Sequence, residues 1–319
     1  MGKILVTGAY GQIGSELVPA LRKRYGKENV VSTGRGADPI NSMCRDGPCE
    51  VLDVMDRVAI GRIITAHNVD TIYHLAAILS AVGEKNPQLA YSVNMNGFYN
   101  ILEAGREHKL KQIMVPSSIA AFGPTTPREG TPNETIMRPT TMYGITKVAG
   151  ELLGNYYFQK FGLDVRGVRF PGIISHAALP GGGTTDYAVA IYYEAIQKGS
   201  YECFVREDTV LPMMYMPDAL KALIDLSEAD IKKLGHHTDY NVAAMSFSVK
   251  ELAASIKKHM PNFKVSYKPD FRQAIADSWP SSLDDSAARK EWGWKPEYDL
   301  EKMTKDMLEK LGEKLKAKK

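Results

Sequence analysis

An α/β fold, doubly wound around a parallel sheet and carrying a smaller C-terminal lobe, is predicted by three observations. Short apolar runs rich in β-branched residues alternate with amphipathic stretches, a glycine turn directly follows the first run, and the rhythm breaks after about residue 170. The first run is Lys3-Ile-Leu-Val-Thr7, and the turn is Gly8-Ala-Tyr-Gly11-Gln-Ile-Gly14, with a helical pattern starting at Ser15. Glycines between a strand and a helix allow a tight bend, close approach of backbone to a pyrophosphate, and close packing of helix on strand. The glycine spacing is three and three rather than two and three, so a turn that binds nothing is the competing reading. Buried parallel strands are expected at Val30 to Thr33, Thr71 to Leu75, Gln112 to Pro116 and Asp164 to Arg169. Helices are expected at Arg57 to His67, Gln88 to His108 and Tyr143 to Phe161. Right-handed crossovers then cover both faces of the sheet in a Rossmann-like arrangement.

Beyond Phe170 the chain turns to Gly- and Pro-rich stretches, Leu179 to Gly183 and Val210 to Met214, among shorter elements. Long irregular segments in a compact protein usually carry function. Residues 1–170 are therefore assigned to dinucleotide binding and 171–319 mainly to a substrate-binding lobe. A segment near 235–245 is expected to return to the main sheet.

Composition excludes several classes. The 319 residues are 44% hydrophobic and 24% charged, enough for a large core, and 40 Lys and Arg against 37 Asp and Glu recruit no nucleic acid or membrane surface. No apolar run reaches the length of a membrane span, and the first strand starts too early for a signal peptide. Cys44, Cys49 and Cys203 show no metal-ligand spacing and are read as reduced thiols of a cytoplasmic protein, and no metal is expected. His236-His237 reads as a polar loop.

The most telling side chains are Tyr143 and Lys147, four residues apart and so on one helical face. A cation beside a phenol lowers its pKa from about 10, which makes the pair a proton-abstraction candidate. Ligands of such sheets lie at the carboxyl ends of the strands. There, His74-Leu-Ala-Ala77 offers small residues past which a cofactor can run, and Val115-Pro-Ser-Ser-Ile119 offers two hydroxyls that either hold a substrate oxygen or cap the turn. Asn94 falls inside a helix, where it is as suited to bonding the neighbouring strand as to touching a ligand.

The glycine turn, His74 to Ala77, Ser117-Ser118, and Tyr143 with Lys147 together resemble the extended short-chain dehydrogenase/reductase family. Leu79-Ser-Ala-Val-Gly-Glu84, Pro171-Gly-Ile-Ile-Ser175, Pro180 to Ala188, Leu211 to Tyr215 and Ser278-Trp-Pro280 resemble its L-threonine 3-dehydrogenase branch. That resemblance implies oxidation of the C3 hydroxyl of L-threonine to 2-amino-3-oxobutanoate, with hydride passing to NAD. It gives Tyr143 the role of base, Lys147 that of stabilising the phenolate and bonding the nicotinamide ribose, and Ser118 that of holding the substrate oxygen, with Ser117 as its neighbour and backup. Cofactor contacts are implied for Gly8, Gly11, Gln12, Ile13, Gly14, Leu75, Ala76, Ala77, Asn94, Ser117, Tyr143 and Lys147, with Asp53 and Val54 at the adenine. Substrate contacts are implied for Ser80, Ser118, Tyr143, Thr185 and Trp279. Trp279 also reads as a core aromatic, and the threonines as caps of a helix from about Asp186.

One position departs from the pattern. Where an acidic residue ordinarily accepts from the adenosine ribose, this chain has Gly34, followed by Arg35, a guanidinium able to face a 2′-phosphate. NAD is still expected, with NADP possible; alternatively Arg35 points to solvent and Thr33 or Asp38 partly replaces the carboxylate. Two other functions remain open: a nucleotide-sugar epimerase or dehydratase of the same family, and a non-enzymatic dinucleotide-sensing protein. A homodimer is expected, with Leu89, Val93, Phe98, Ile101 and Leu102 available either for the partner or for the sheet.

Overall fold

The computed structural model describes residues 2–36, 43–179 and 181–316. Six parallel strands form the main sheet: β1 (Lys3–Thr7), β2 (Val30–Gly34), β3 (Cys49–Val51), β4 (Val69–His74), β5 (Gln112–Met114) and β6 (Asp164–Arg166), in the order β3-β2-β1-β4-β5-β6. The order reverses between β1 and β4, which opens a crevice at their carboxyl ends. Alternation along β1 shows how both faces are covered. Ile4 and Val6 pack with Leu17, Val18 and Leu21 of helix α1 (Gly14–Tyr25), while Leu5 packs on the opposite face with Ile60, Ile63 and Ile64 of α2 (Arg57–His67).

Two expected strands are interrupted. The run Gln112 to Pro116 ends as β5 at Met114 and resumes at Ser117–Ser118, because Pro116 has no N–H for the ladder. The run Asp164 to Arg169 breaks at Gly167, whose Cβ, were there one, would sit 2.2 Å from the Val115 carbonyl oxygen, and resumes as Val168–Phe170. Tyr240–Asn241 pairs in parallel with Val168 and Arg169, alongside that continuation.

The expected single helix from Gln88 to His108 is also broken. Pro87–Tyr91 is helical, Ser92–Asn96 widens into a π turn, and α3 (Gly97–Glu107) follows. Buried Asn94 accounts for the bulge: its amide accepts from Ile78 N at 2.8 Å and donates to Ile78 O and Thr146 Oγ1, bonds that draw this turn out of register. Helix α4 (Met142–Phe161) starts on a Thr141 cap that accepts from Gly144 N and stops at Gly162 in the left-handed region.

In the C-terminal part, Gly172–Ile174 lies parallel to Val210–Tyr215, which pairs antiparallel with Met245–Ser248. Helices Tyr187–Lys198, Val249–His259 and Leu300–Lys316 close a separate core around Tyr192, Met213, Tyr215, Ile256 and Met307.

The reading of three reduced thiols is corrected for two of them. Cys44 and Cys49 are bonded, their Cα atoms 5.2 Å apart, and only Cys203 is a free, buried thiol. The loop doubles back before β3 and is pinned by buried Arg22, which donates to the carbonyls of Met43, Val30 and Pro48. Among the described residues, no helix is long and apolar enough to cross a membrane.

Candidate functional site

The crevice at the switch between β1 and β4 deepens into one cavity that runs to the C-terminal part. One end is built by the glycine turn. Gly8 has φ +66°, and a Cβ on it would lie 2.7 Å from Ala76 N; a Cβ on Gly14 would lie 2.5 Å from Gly8 O. Both positions demand glycine, and the resulting cradle lies open to the cavity together with Gly11, Gln12 and Ile13. Helix α1 has no side-chain cap at its N-terminus, and although Ser15 N and Glu16 N already donate to Gly11 O and Ile13 O, its positive end faces the cradle, where a pyrophosphate is favoured. Leu75, Ala76, Ala77 and Asn94 line the facing wall. His74 beneath them is neutral: burial, seconded by the Lys147 charge, holds it down at about 3, and it bonds Thr7 Oγ1 at 2.9 Å and stacks on Phe98.

In the middle of the cavity, α4 meets the interrupted strand 117–118. Lys147 Nζ donates to Pro116 O at 2.6 Å and lies 5.4 Å from the centre of the Tyr143 ring. Burial pushes the Tyr143 phenol up to about 12, opposed by a hydrogen bond from Ser118, and pushes Lys147 down to about 8, opposed by the charge of Glu151. The two serines part ways here, as neighbours on extended backbone do. Ser118 turns to Tyr143, whereas the Ser117 hydroxyl donates to Glu151 Oε1. Ser117, expected as the backup for Ser118, is thus engaged with Glu151 while also lining the cavity.

At the far end, Ser80, Thr185 and Trp279 all line the same cavity. Ser80 Oγ is 3.2 Å from Thr184 Oγ1, and Trp279 is 5% exposed, one face in the core with Ile119 and Tyr187. Neither threonine caps the following helix, whose Asp186 instead accepts from Gly182 N and Gly183 N and closes the glycine loop.

Three expected cofactor residues stand apart from the cavity lining. Arg35 is exposed, Asp53 is exposed and accepts from Met55 N, and Val54 is buried against Gly97. Thr33 cannot stand in for the missing carboxylate, because it is fully buried and donates to Val6 O; Asp38 lies outside the described residues. Gly34 has its own physical reason: a Cβ there would sit 2.5 Å from the Tyr10 ring, so that ring excludes an acidic side chain.

Residues 4–243 match the model of the NAD dependent epimerase/dehydratase family. The chain belongs to that family. It is 53% identical to an uncharacterized epimerase/dehydratase of Staphylococcus haemolyticus over 98% of this chain and 99% of the relative. Among solved structures it resembles L-threonine dehydrogenase from Phytophthora infestans (54% identity, TM-score 0.95, 98% and 100% of the two chains) and from Clostridium difficile (55%, 0.96, 98% of each). A monomeric L-threonine 3-dehydrogenase from a metagenome is similar too (48%, 0.93, 97% and 98%).

Within this epimerase/dehydratase framework, sequence reasoning missed Thr184, Glu151 and Arg169. Thr184 was passed over for its neighbour. Glu151 carried a readable signal, a carboxylate four residues beyond Lys147 on a helix face otherwise marked by Gly150 and Gly154. Arg169 had none, since a strand interior gives no hint of a buried guanidinium. His236 pairs with Asp239 at 3.4 Å, and His237 lies against Phe158, so the expected polar loop is partly packed.

Proposed function

We propose that the protein oxidises the C3 hydroxyl of L-threonine to 2-amino-3-oxobutanoate. The observation that carries this reading is the convergence of Ser118, Tyr143 and Lys147 in one cavity, between the glycine cradle and a small polar pocket formed by Ser80, Thr184, Thr185 and Trp279. Tyr143 loses its own proton first, Lys147 stabilising the phenolate with its charge; the phenolate then takes the hydroxyl proton and returns to the phenol, and Ser118 holds the substrate oxygen. NAD, bound along the cradle, supplies the hydride acceptor. Residues 1–170 would form the dinucleotide-binding domain and 171–319 the substrate lobe.

Similarity to L-threonine dehydrogenases over nearly the whole chain supports threonine as substrate. A specific feature disfavours a nucleotide-sugar epimerase or dehydratase: Lys147 is the one Lys or Arg among the described residues that line the cavity, which leaves no second cation for a diphosphate. A dinucleotide sensor has no need of an aligned Ser, Tyr and Lys.

NAD is the proposed cofactor. With Gly34 beneath Tyr10 and Arg35 exposed, neither a carboxylate nor a seated guanidinium discriminates strongly, so the preference is expected to be modest. A threonine-dependent rise in reduced-cofactor absorbance, followed with both dinucleotides, tests substrate and cofactor together. We expect turnover with kcat/KM higher for NAD; no turnover with either cofactor sinks the reading, and a higher value for NADP reverses the cofactor assignment.

A homodimer is proposed from the outer face of α4. Phe98, Ile101 and Leu102 are taken up by the sheet, but Ile145, Leu152 and Tyr156 on α4 are 47%, 62% and 52% exposed, with Leu89, Tyr91 and Tyr99 exposed as well. Sedimentation velocity should show a dimer that Leu152→Asp dissociates, and a monomeric wild-type protein contradicts it. A cytoplasmic setting is kept as part of the proposal, although the Cys44–Cys49 bond weighs against it; fractionation of the native cells decides.

A further inference from the structure

Three consecutive residues, Pro116 to Ser118, meet three helix residues spaced one turn apart. Ser118 faces Tyr143, opposing the effect of burial on its phenol, while Pro116 O accepts from Lys147 and Ser117 bonds Glu151. The spacing Tyr143, Lys147, Glu151 keeps all three on one face of α4. Glu151 is 4% exposed and is gripped by Arg169, 1% exposed, whose Nε donates to Oε1 at 3.0 Å and Nη2 to Oε2 at 2.8 Å. The remaining guanidinium nitrogen reaches Asn133 O and Asn241 Oδ1. With three donors on its two oxygens, the carboxyl is held as the anion although burial pushes it upward.

A buried ion pair is weak as a source of stability, since apolar residues of similar shape often serve as well. Its placement one turn beyond Lys147 gives it a use. We propose that Glu151 is a positioning residue: clamped by Arg169 and Ser117, its carboxylate fixes segment 116–118 against α4 and supplies the negative charge that keeps the Lys147 ammonium charged in its buried place. This rests on the roles assigned above to Tyr143 and Lys147.

The groups facing Lys147 bear this out. Among the described residues Pro116 O is its hydrogen-bond acceptor, His74 from β4 is neutral, and Tyr143 rests as the neutral phenol until it loses its proton. Asp239 lies beyond, its charge facing Arg169 and Glu151. Glu151 is the group whose charge raises Lys147 against the effect of burial. Side chains one helical turn apart stand about 6 Å from each other; opposite charges at that range, at an effective dielectric near 20, shift each other by about two pH units, and while both charges of the ion pair are present Arg169 offsets about half of that.

The test is the titration of Lys147 itself. In protein carrying carbon-13 at lysine Cε, the Lys147 resonance is assigned with Lys147→Met and followed against pH in wild type and Glu151→Gln, beside the pH profile of kcat/KM for threonine. The Lys147 midpoint is expected to fall by about two pH units in Glu151→Gln, where the Arg169 charge stays behind unopposed, with the pH at which the profile stops climbing falling alongside it. If Glu151→Gln does not fold, Glu151→Gln/Arg169→Met removes both charges together and should show a smaller fall. An unchanged midpoint in whichever variant folds, even with a lower melting temperature, reduces Glu151 to a structural residue and overturns the proposal. Absence of threonine turnover in wild type would instead overturn the functional reading, and the lysine titration would still decide the role of Glu151.

Discussion

Tyr143→Phe is expected to lower kcat for threonine oxidation by about 10²–10⁴-fold, the range over which a positioned general base contributes, while dinucleotide affinity changes little. The asymmetry follows from the layout of the cavity. The dinucleotide is expected to be held by the cradle of Gly8, Gly11 and Gly14 and by the positive end of α1, and none of these contacts involves the phenol oxygen. The ring itself is retained in the variant, so the packing of α4 on strand 117–118 survives. Burial keeps the wild-type phenol near 12 and Lys147 at about 8, so wild-type kcat/KM should climb with pH as the phenolate becomes accessible until Lys147 begins to lose its proton, and the residual activity of the variant should lose that climb. Initial rates from pH 6 to 10, with dinucleotide titrations by fluorescence, measure both. Substantial activity in Tyr143→Phe, with the climb intact, would show that another group takes the proton.

The inner strands of the sheet were legible because they are buried on both faces and read as apolar runs, whereas the half-exposed edge strand β3 was not. The glycine turn was legible because Gly8 and Gly14 answer to backbone contacts that no other residue permits. Where reading failed, the cause was long-range. Asn94 makes its π turn by bonding Ile78, sixteen residues away, and Thr146, fifty-two residues away, which helical periodicity cannot register. Cys44 and Cys49 were judged by compartment and ligand spacing, whereas the fold of one loop brings them together. The Tyr143–Lys147 pair was visible as a local spacing; the Glu151–Arg169 pair behind it joins a helix to a strand and needed the structure. Gly34 shows the same division: the missing acid was evident in the sequence, but its cause is the ring of Tyr10, placed there by the turn.

Gly144→Ala should destabilise the protein and impair catalysis, against what helix propensity alone suggests. In a helix interior, alanine is favoured over glycine by about 1 kcal/mol, so propensity predicts a more stable α4. At Gly144, however, a Cβ would lie 2.2 Å from Ala120 O and 2.5 Å from Pro139 Cβ. The first of these is backbone and cannot swing aside, so α4 must lift from the segment Ile119–Ala121; overpacking of this kind costs about 1–3 kcal/mol or more and outweighs the propensity gain. Ala120 N donates to Ser118 Oγ, so displacement there moves the serine relative to Tyr143, and a shift of about 1 Å at reacting groups can cost about 10²-fold in rate. Gly150, on the same helix, is the control: a Cβ there would meet only Phe98 at 3.7 Å, an ordinary contact, and Gly150→Ala should gain stability. Urea denaturation of both variants therefore sets propensity against packing. Opposite signs support the close approach of α4 to Ala120, whereas a Gly144→Ala protein as stable and active as wild type would mean that the helix does not sit that close and that Ser118 and Tyr143 are not held together in this way.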